Sequence, residues 1–363
     1  MTDAGKLTLS MTWDGYSVSA TDIRSTRPMA AQILKGKTPA QVVQIVPLLF
    51  SVCGRAQGAA ARAALQAALN GVSIASAKAE HTIVCEAMQE HLWRMMLDWP
   101  KLMGLAPHEQ RFVGWYALLR KIAAGETGMD VFLNKFESEC LGMPVTEWRA
   151  LDSYHVLQTW LRKAHSPIAE LLAKLDELEH GSHGPSDIRL LPAWTAAEAN
   201  QACNGRWNTA FSARPDWLGD TAETGAWTYY KDNRLLHDVW QQSGSKALTR
   251  LLARVTDLIE MASGNTAPRL DVANLKDNAS IAVVRTARGL LLHHVNIESD
   301  LVTDYVIVAP MEWNFHPNGA YTQDMLGLKE RDAKRLRQLA HIAALSLDPC
   351  VAYEVKVQHH GHL

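Results

Sequence analysis

The chain has 363 residues, enough for one large core or for up to three domains. Its 47% hydrophobic and 20% charged content excludes a disordered chain, and a net charge of −2 excludes a basic field that would recruit nucleic acid. Five cysteines (Cys53, Cys85, Cys140, Cys203, Cys350) form an odd set at irregular spacings, which fits a reduced cytoplasmic chain rather than a disulfide framework.

The N-terminus, MTDAGKLTLSMTWDG, is too polar for a signal peptide. No window holds ~18 uncharged apolar residues, so no membrane contact is expected. Residues 5–20 alternate apolar and polar through Leu7, Leu9 and Met11 and predict a strand or hairpin. Helical spacing takes over at Gln41. An apolar run, Val42 to Cys53, is followed by the alanine-rich stretch Ala59–Leu69, whose small side chains allow close packing. A long amphipathic helix is expected over 77–103, stopping before Pro100 or at Gly104. Further helices are predicted at 108–124, 128–140, 145–164 and 167–180. The stretch HGSHGPSD, 180–187, reads as a loop or linker inside a single domain spanning the chain. Residues 188–232, rich in Trp, Gly and Pro, read as a long packed loop. Helices follow at 234–242 and 245–263. Then β-branched runs from Ser280 to Pro310 predict a small antiparallel sheet with turns near Arg288-Gly289 and Ser299-Asp300. A last helix is expected over about 330–345. The chain therefore reads as mainly α, with a small antiparallel β-sheet.

Two cysteine motifs stand out, Cys53-Gly54-Arg55-Ala56 and Asp348-Pro349-Cys350-Val351-Ala352-Tyr353. Each looks like half of a Cys-x-x-Cys metal clamp. Each also lies next to a candidate helix end, a setting that turns a thiol into a better ligand. The alternative is a pair of buried, inert cysteines. Cys85, Cys140 and Cys203 have no motif around them and read as ordinary core or surface thiols.

Five segments, in order, resemble the large subunit of nickel–iron hydrogenases: ILKGKTPAQVVQIVPLLFSVCGRA (33–56), GDTAETGAW (219–227), RTARGLLLHHVNI (285–297), VIVAPMEWNFHPNGA (306–320) and LSLDPCVAY (345–353). The resemblance implies an α+β fold with a helical-bundle core. It places Cys53 and Cys350 at the terminal nickel-ligand positions. Ala56 and Tyr353 stand where the bridging cysteines belong, so two of the four thiolates that hold nickel are missing and nickel is not expected. Ala31 stands at or beside the proton-relay glutamate. Met311, in Pro310-Met311-Glu312-Trp313, replaces a hydroxyl residue that binds a cyanide, and Lys356 replaces the C-terminal histidine. Hydrogenase catalysis is therefore not expected.

What survives is two thiolates and Arg288, whose counterpart lies against a cyanide of the Fe(CN)2(CO) group. A guanidinium is always charged and donates in a plane, which suits an anionic ligand. This pattern resembles the HupK/HoxV family of hydrogenase maturation proteins. It implies a scaffold, not an enzyme, that holds iron as Fe(CN)2(CO) or a precursor on Cys53 and Cys350. Arg288, Pro310, Met311 and Tyr353 would line the cofactor. The implied partners are a HypC-like small chaperone, the HypD component and the hydrogenase large-subunit precursor. The other reading is a metal-free degenerate large subunit that acts as an interaction or regulatory protein. Around the motifs, Met88, His91 and Trp93 fall on neighbouring helical positions, although His91 reads first as a hydrogen-bonded core or surface histidine. Glu223 reads as a helix-start cap or a buried partner for an arginine. Tyr353 could fill the nickel space or place its hydroxyl near iron. The His-rich tail, 359–362, reads as a solvated end, with nickel handling as the alternative.

Overall fold

The computed structural model describes residues 5–28, 30–50, 52–71, 75–179 and 189–359. The expected loop at 180–187 and the end of the tail at 360–363 lie outside them.

The N-terminal alternation forms a hairpin, β1 (Lys6–Trp13) with β2 (Val18–Ser25), with Leu7, Leu9 and Met11 turned inward. Helix α1 (Pro39–Leu49) opens on a capping box between Thr38 and Gln41. The alanine stretch becomes α2 (Gly54–Asn70), which ends on the left-handed Gly71.

Helix α3 (Ala77–Trp93) runs on through a π turn at Arg94–Asp98 into Trp99–Leu102. Pro100 thus sits inside the helix instead of ending it. It has no N–H to offer the carbonyl four residues back, and that carbonyl, Met96 O, accepts from His108 N at 2.8 Å. Helices α4 (Glu109–Ala123) and α6 (Lys246–Ala262) pack on α3, and α5 (Pro167–Glu179) packs on the π turn and on α6.

The helix expected over 145–164 is two helices, Val145–Arg149 and Tyr154–Leu161. Between them the Asp238 carboxylate accepts from Tyr154 N at 2.8 Å and so starts the second piece. The stretch 188–232 carries three short helices, Ala196–Cys203, Thr209–Ala213 and Ala226–Tyr229.

The second sheet is antiparallel, in the order β3 (Leu270–Asn274), β4 (Ala279–Thr286), β5 (Gly289–Glu298), β6 (Leu301–Val308). It is covered on both faces. Ala282, Val284, Leu291 and Val295 meet α2 and α1, while Ile281, Val283, Leu290 and Leu292 meet Trp194, Phe211 and Trp313. Cover on both sides explains why the strands read as unbroken apolar runs. The alanines of α2 let the helix lie close enough for Ser280 Oγ to reach Ala64 O at 2.5 Å.

The last helix, α7 (Ala333–Leu347), ends on the left-handed Asp348. The chain then passes Cys350 into β7 (Ala352–His359), which pairs in parallel with β1 in register Leu9 to Val355. Both chain ends thereby meet in one three-stranded sheet.

Candidate functional site

Cys53 is the residue immediately before α2, and its own side chain makes no capping bond there. Glu86 of α3 does that work: its carboxylate accepts from Arg55 N at 2.9 Å and from Ala56 N at 2.8 Å. The half-motif is thus fixed by a carboxylate from the next helix. Cys350 is held from the other side, two residues beyond the Asp348 turn, with its Sγ 3.7 Å from Met311 Sδ. Met311 sits in the first turn of Pro310–Asn314, where Pro310 needs no N–H partner.

The fold brings the two thiols into one electrostatic neighbourhood. Burial pushes the Cys53 thiol up to about 12, with the like charge of Cys350 and then Glu90 acting in the same direction. Burial also raises Cys350, opposed by Arg27 and Arg288. Both guanidiniums feel both sulfurs.

Arg288 sits in the β4–β5 turn and is 3% exposed. Its Nη1 pairs with Glu90, and its Nε lies 3.3 Å from Asp348 Oδ1. Yet Nε and Nη2 have no hydrogen-bond acceptor. Leaving a buried donor unmet costs about 1–3 kcal/mol, so these N–H groups are poised for an acceptor from elsewhere.

Asp348 is the anchor. It accepts from Arg94 Nε at 2.8 Å and Arg254 Nη1 at 2.9 Å, and these arginines with Arg288 hold its carboxyl far below the usual range despite burial. Arg94 lies in the π turn of α3, a wide turn that often marks a functional place. Glu90 behaves in the opposite way. Burial pushes its carboxyl up to about 8, against the pull of Arg288.

Arg27 closes the remaining side through a 2.5 Å ion pair with Glu312 and a stacked contact on Phe50. Behind Cys53 runs a buried polar chain. Gln57 Nε2 reaches Cys53 Sγ at 3.7 Å, Gln57 Oε1 meets His293 Nε2 at 2.8 Å, and His293 Nδ1 meets Tyr305 Oη at 2.8 Å.

Cys53, Cys350, Arg288 and the pair Pro310-Met311 therefore come from four segments to one place. Tyr353 is turned elsewhere. Its hydroxyl meets His341 Nδ1 at 3.4 Å, beside Arg94 and Asp98, so its polar end is not aimed at the thiols. His91 is a fully buried structural residue on Asp257, at 2.9 Å. Glu223 is the buried bidentate partner of Arg250, at 2.6 and 2.8 Å. Cys85, Cys140 and Cys203 are core thiols.

The residues that sequence reasoning missed are Arg27, Gln57, Glu86, Glu90 and Asp348. Glu86 and Glu90 share a face at i, i+4 of α3, and Asp348 stands in the second motif. Arg27 and Gln57 carry no sequence signal.

A helical bundle beside a sheet covered on both faces is similar in fold to the large subunit of a nickel-dependent hydrogenase. Residues 234–356 match the nickel-dependent hydrogenase family model. The fold is similar to the Ni-Fe-Se hydrogenase of Desulfovibrio vulgaris Hildenborough, with a TM-score of 0.58 and 13% identity over 93% of this chain and 94% of that one. It is similar also to the [NiFeSe]-hydrogenase of Desulfomicrobium baculatum, at 0.57 and 14% over 93% and 94%.

Sequence likeness points to a narrower group. The chain is 29% identical over 375 residues to the hydrogenase expression/formation protein HoxV of Cupriavidus necator, covering 98% of this chain and 97% of the relative. It is 28% identical over 368 residues to HupK of Azotobacter vinelandii, also a hydrogenase expression/formation protein, covering 98% and 99%. Along nearly its whole length the chain is thus similar to hydrogenase expression/formation proteins.

Proposed function

We propose that this protein serves hydrogenase assembly as a scaffold. It takes up an iron unit carrying cyanide and carbonyl ligands between Cys53 and Cys350 and passes it on. The observation that carries this reading is the meeting of two thiols, distant in sequence, beside a buried guanidinium with unmet donors.

The donor set fits such a cargo. Among the described residues no three His, Cys, Asp or Glu side chains cluster as metal donors. Two thiols are too few for a closed four-ligand site. They suffice for iron that brings diatomic ligands of its own, and few protein bonds favour release. An anionic cyanide would accept from the Arg288 N–H groups that have no acceptor. The Met311 thioether leaves no hydroxyl at its position.

The relatives' names support a formation role rather than turnover of a substrate. On this reading the partners are a HypC-like chaperone, the HypD component and the large-subunit precursor. Iron content of anaerobically purified protein tests it. Cys53→Ser and Cys350→Ser should each lose iron while remaining folded by circular dichroism. Iron retained in both variants would refute the site.

A further inference from the structure

Beside the thiols the surface opens into a cleft of about 980 Å³. The end of α1, the start of α2 and one face of α3 wall it, and Phe112 and Tyr116 of α4 close it. Its inner end touches the site twice. Gly54 follows Cys53 in sequence, and Glu90 is the ion-pair partner of Arg288.

The cleft has a definite chemical character. Its rim exposes Leu48 (84%), Tyr116 (43%) and Trp93 (36%). Arg55, Arg62 and Lys78 line it, are exposed, and make no ion pair among the described residues. The two carboxylates in its lining are committed inward, Glu86 to the start of α2 and Glu90 to Arg288. Gln89 Nε2, also of a lining residue, is buried without an acceptor. Three cations outside any ion pair among the described residues, an aromatic rim and an unmet amide donor are complementary to an acidic polypeptide segment with apolar side chains and free backbone carbonyls.

We propose that this cleft docks an acidic chain segment of the protein that exchanges the iron unit with Cys53 and Cys350. What is exchanged rests on the scaffold reading; the docking rests on the cleft. The route is short, since the segment's inner end would lie against Gly54 and Glu90.

The test places a benzoylphenylalanine photocrosslinker at Tyr116 of the full chain, in cells making the hydrogenase assembly proteins. Mass spectrometry then identifies the joined segment. The expected product is a segment of net negative charge from another protein, lost in the Arg55→Glu/Arg62→Glu/Lys78→Glu variant. A cross-link to a second copy of this chain, to a basic or neutral segment, one that survives charge reversal, or none at all would overturn the proposal. Iron is measured on the same samples. Iron bound without an acidic cross-link sinks the cleft alone, and an acidic cross-link on iron-free protein sinks the scaffold reading alone. Circular dichroism confirms that the triple variant is folded.

Discussion

Arg288 and Asp348 face each other at 3.3 Å, Nε to Oδ1, and join the two halves of the site. Arg288 belongs to the β4–β5 turn and is shared with Glu90 of α3, whose neighbour by one helical turn, Glu86, fixes the Cys53 end of α2. Asp348 ends α7 and sets the direction of the chain towards Cys350. One ion pair thus links two cysteines that local structure holds separately.

Asp348→Asn tests that link. Asparagine tolerates the left-handed backbone at this position, so the change isolates the charge. It removes the shared anion from Arg94, Arg254 and Arg288, and breaking such a buried cluster should cost about 3–5 kcal/mol. Chemical denaturation at pH 7 reads this as a fall in midpoint. The sign with pH is fixed as well. A carboxyl lowered in the folded state stabilises above its unfolded value of 3.8 and loses that contribution as pH falls. The gap between wild type and variant should therefore close in acid.

Glu90 gives the opposite dependence. Its folded carboxyl titrates at about 8 against 4.5 for the unconstrained group. Between those values the folded state keeps a proton that the unfolded state has lost, so this residue erodes stability as pH rises, by up to about 1.4 kcal/mol per unit. Glu90→Gln should lose less stability than wild type between pH 5 and pH 8. Denaturation curves at both pH values decide it, and parallel losses would contradict the expectation.

The raised Cys53 thiol predicts slow chemistry. At pH 8 a group titrating at about 12 is ionised to about one part in ten thousand. Iodoacetamide should label Cys53 of folded, metal-free protein far more slowly than the urea-unfolded chain. Mass spectrometry follows the site. Labelling at the unfolded rate would show a thiol outside the buried site.

Leu9 tests the closure of the chain ends. It is fully buried under the sheet where β1 meets β7. Leu9→Ala should cost about 2–5 kcal/mol, read as a lowered denaturation midpoint. A loss well below that would mean that the β1–β7 seam adds little.

Much of this was legible in sequence because its cause is local. Alternation at Leu7, Leu9 and Met11 gave β1, and the alanine stretch gave a helix able to lie close on a sheet. The β-branched runs gave β4 to β6. What escaped depends on distant partners. β7 is largely half-exposed, and its pairing with β1 spans 346 residues between Thr8 and Glu354, which no periodicity records. Pro100 lies within a helix because His108 serves the orphaned Met96 carbonyl. Motif resemblance singled out the two cysteines and Arg288, which the fold places in one electrostatic neighbourhood. Their setting was not legible, because Arg27, Gln57 and Glu90 join that neighbourhood only once remote segments meet.

Infrared spectroscopy of the protein, purified without oxygen from cells making the full assembly set, addresses the central claim most directly. The account predicts bands of metal-bound cyanide and carbonyl, lost in Cys53→Ser and in Cys350→Ser. Protein that binds its assembly partners yet shows no such bands and no iron would contradict it.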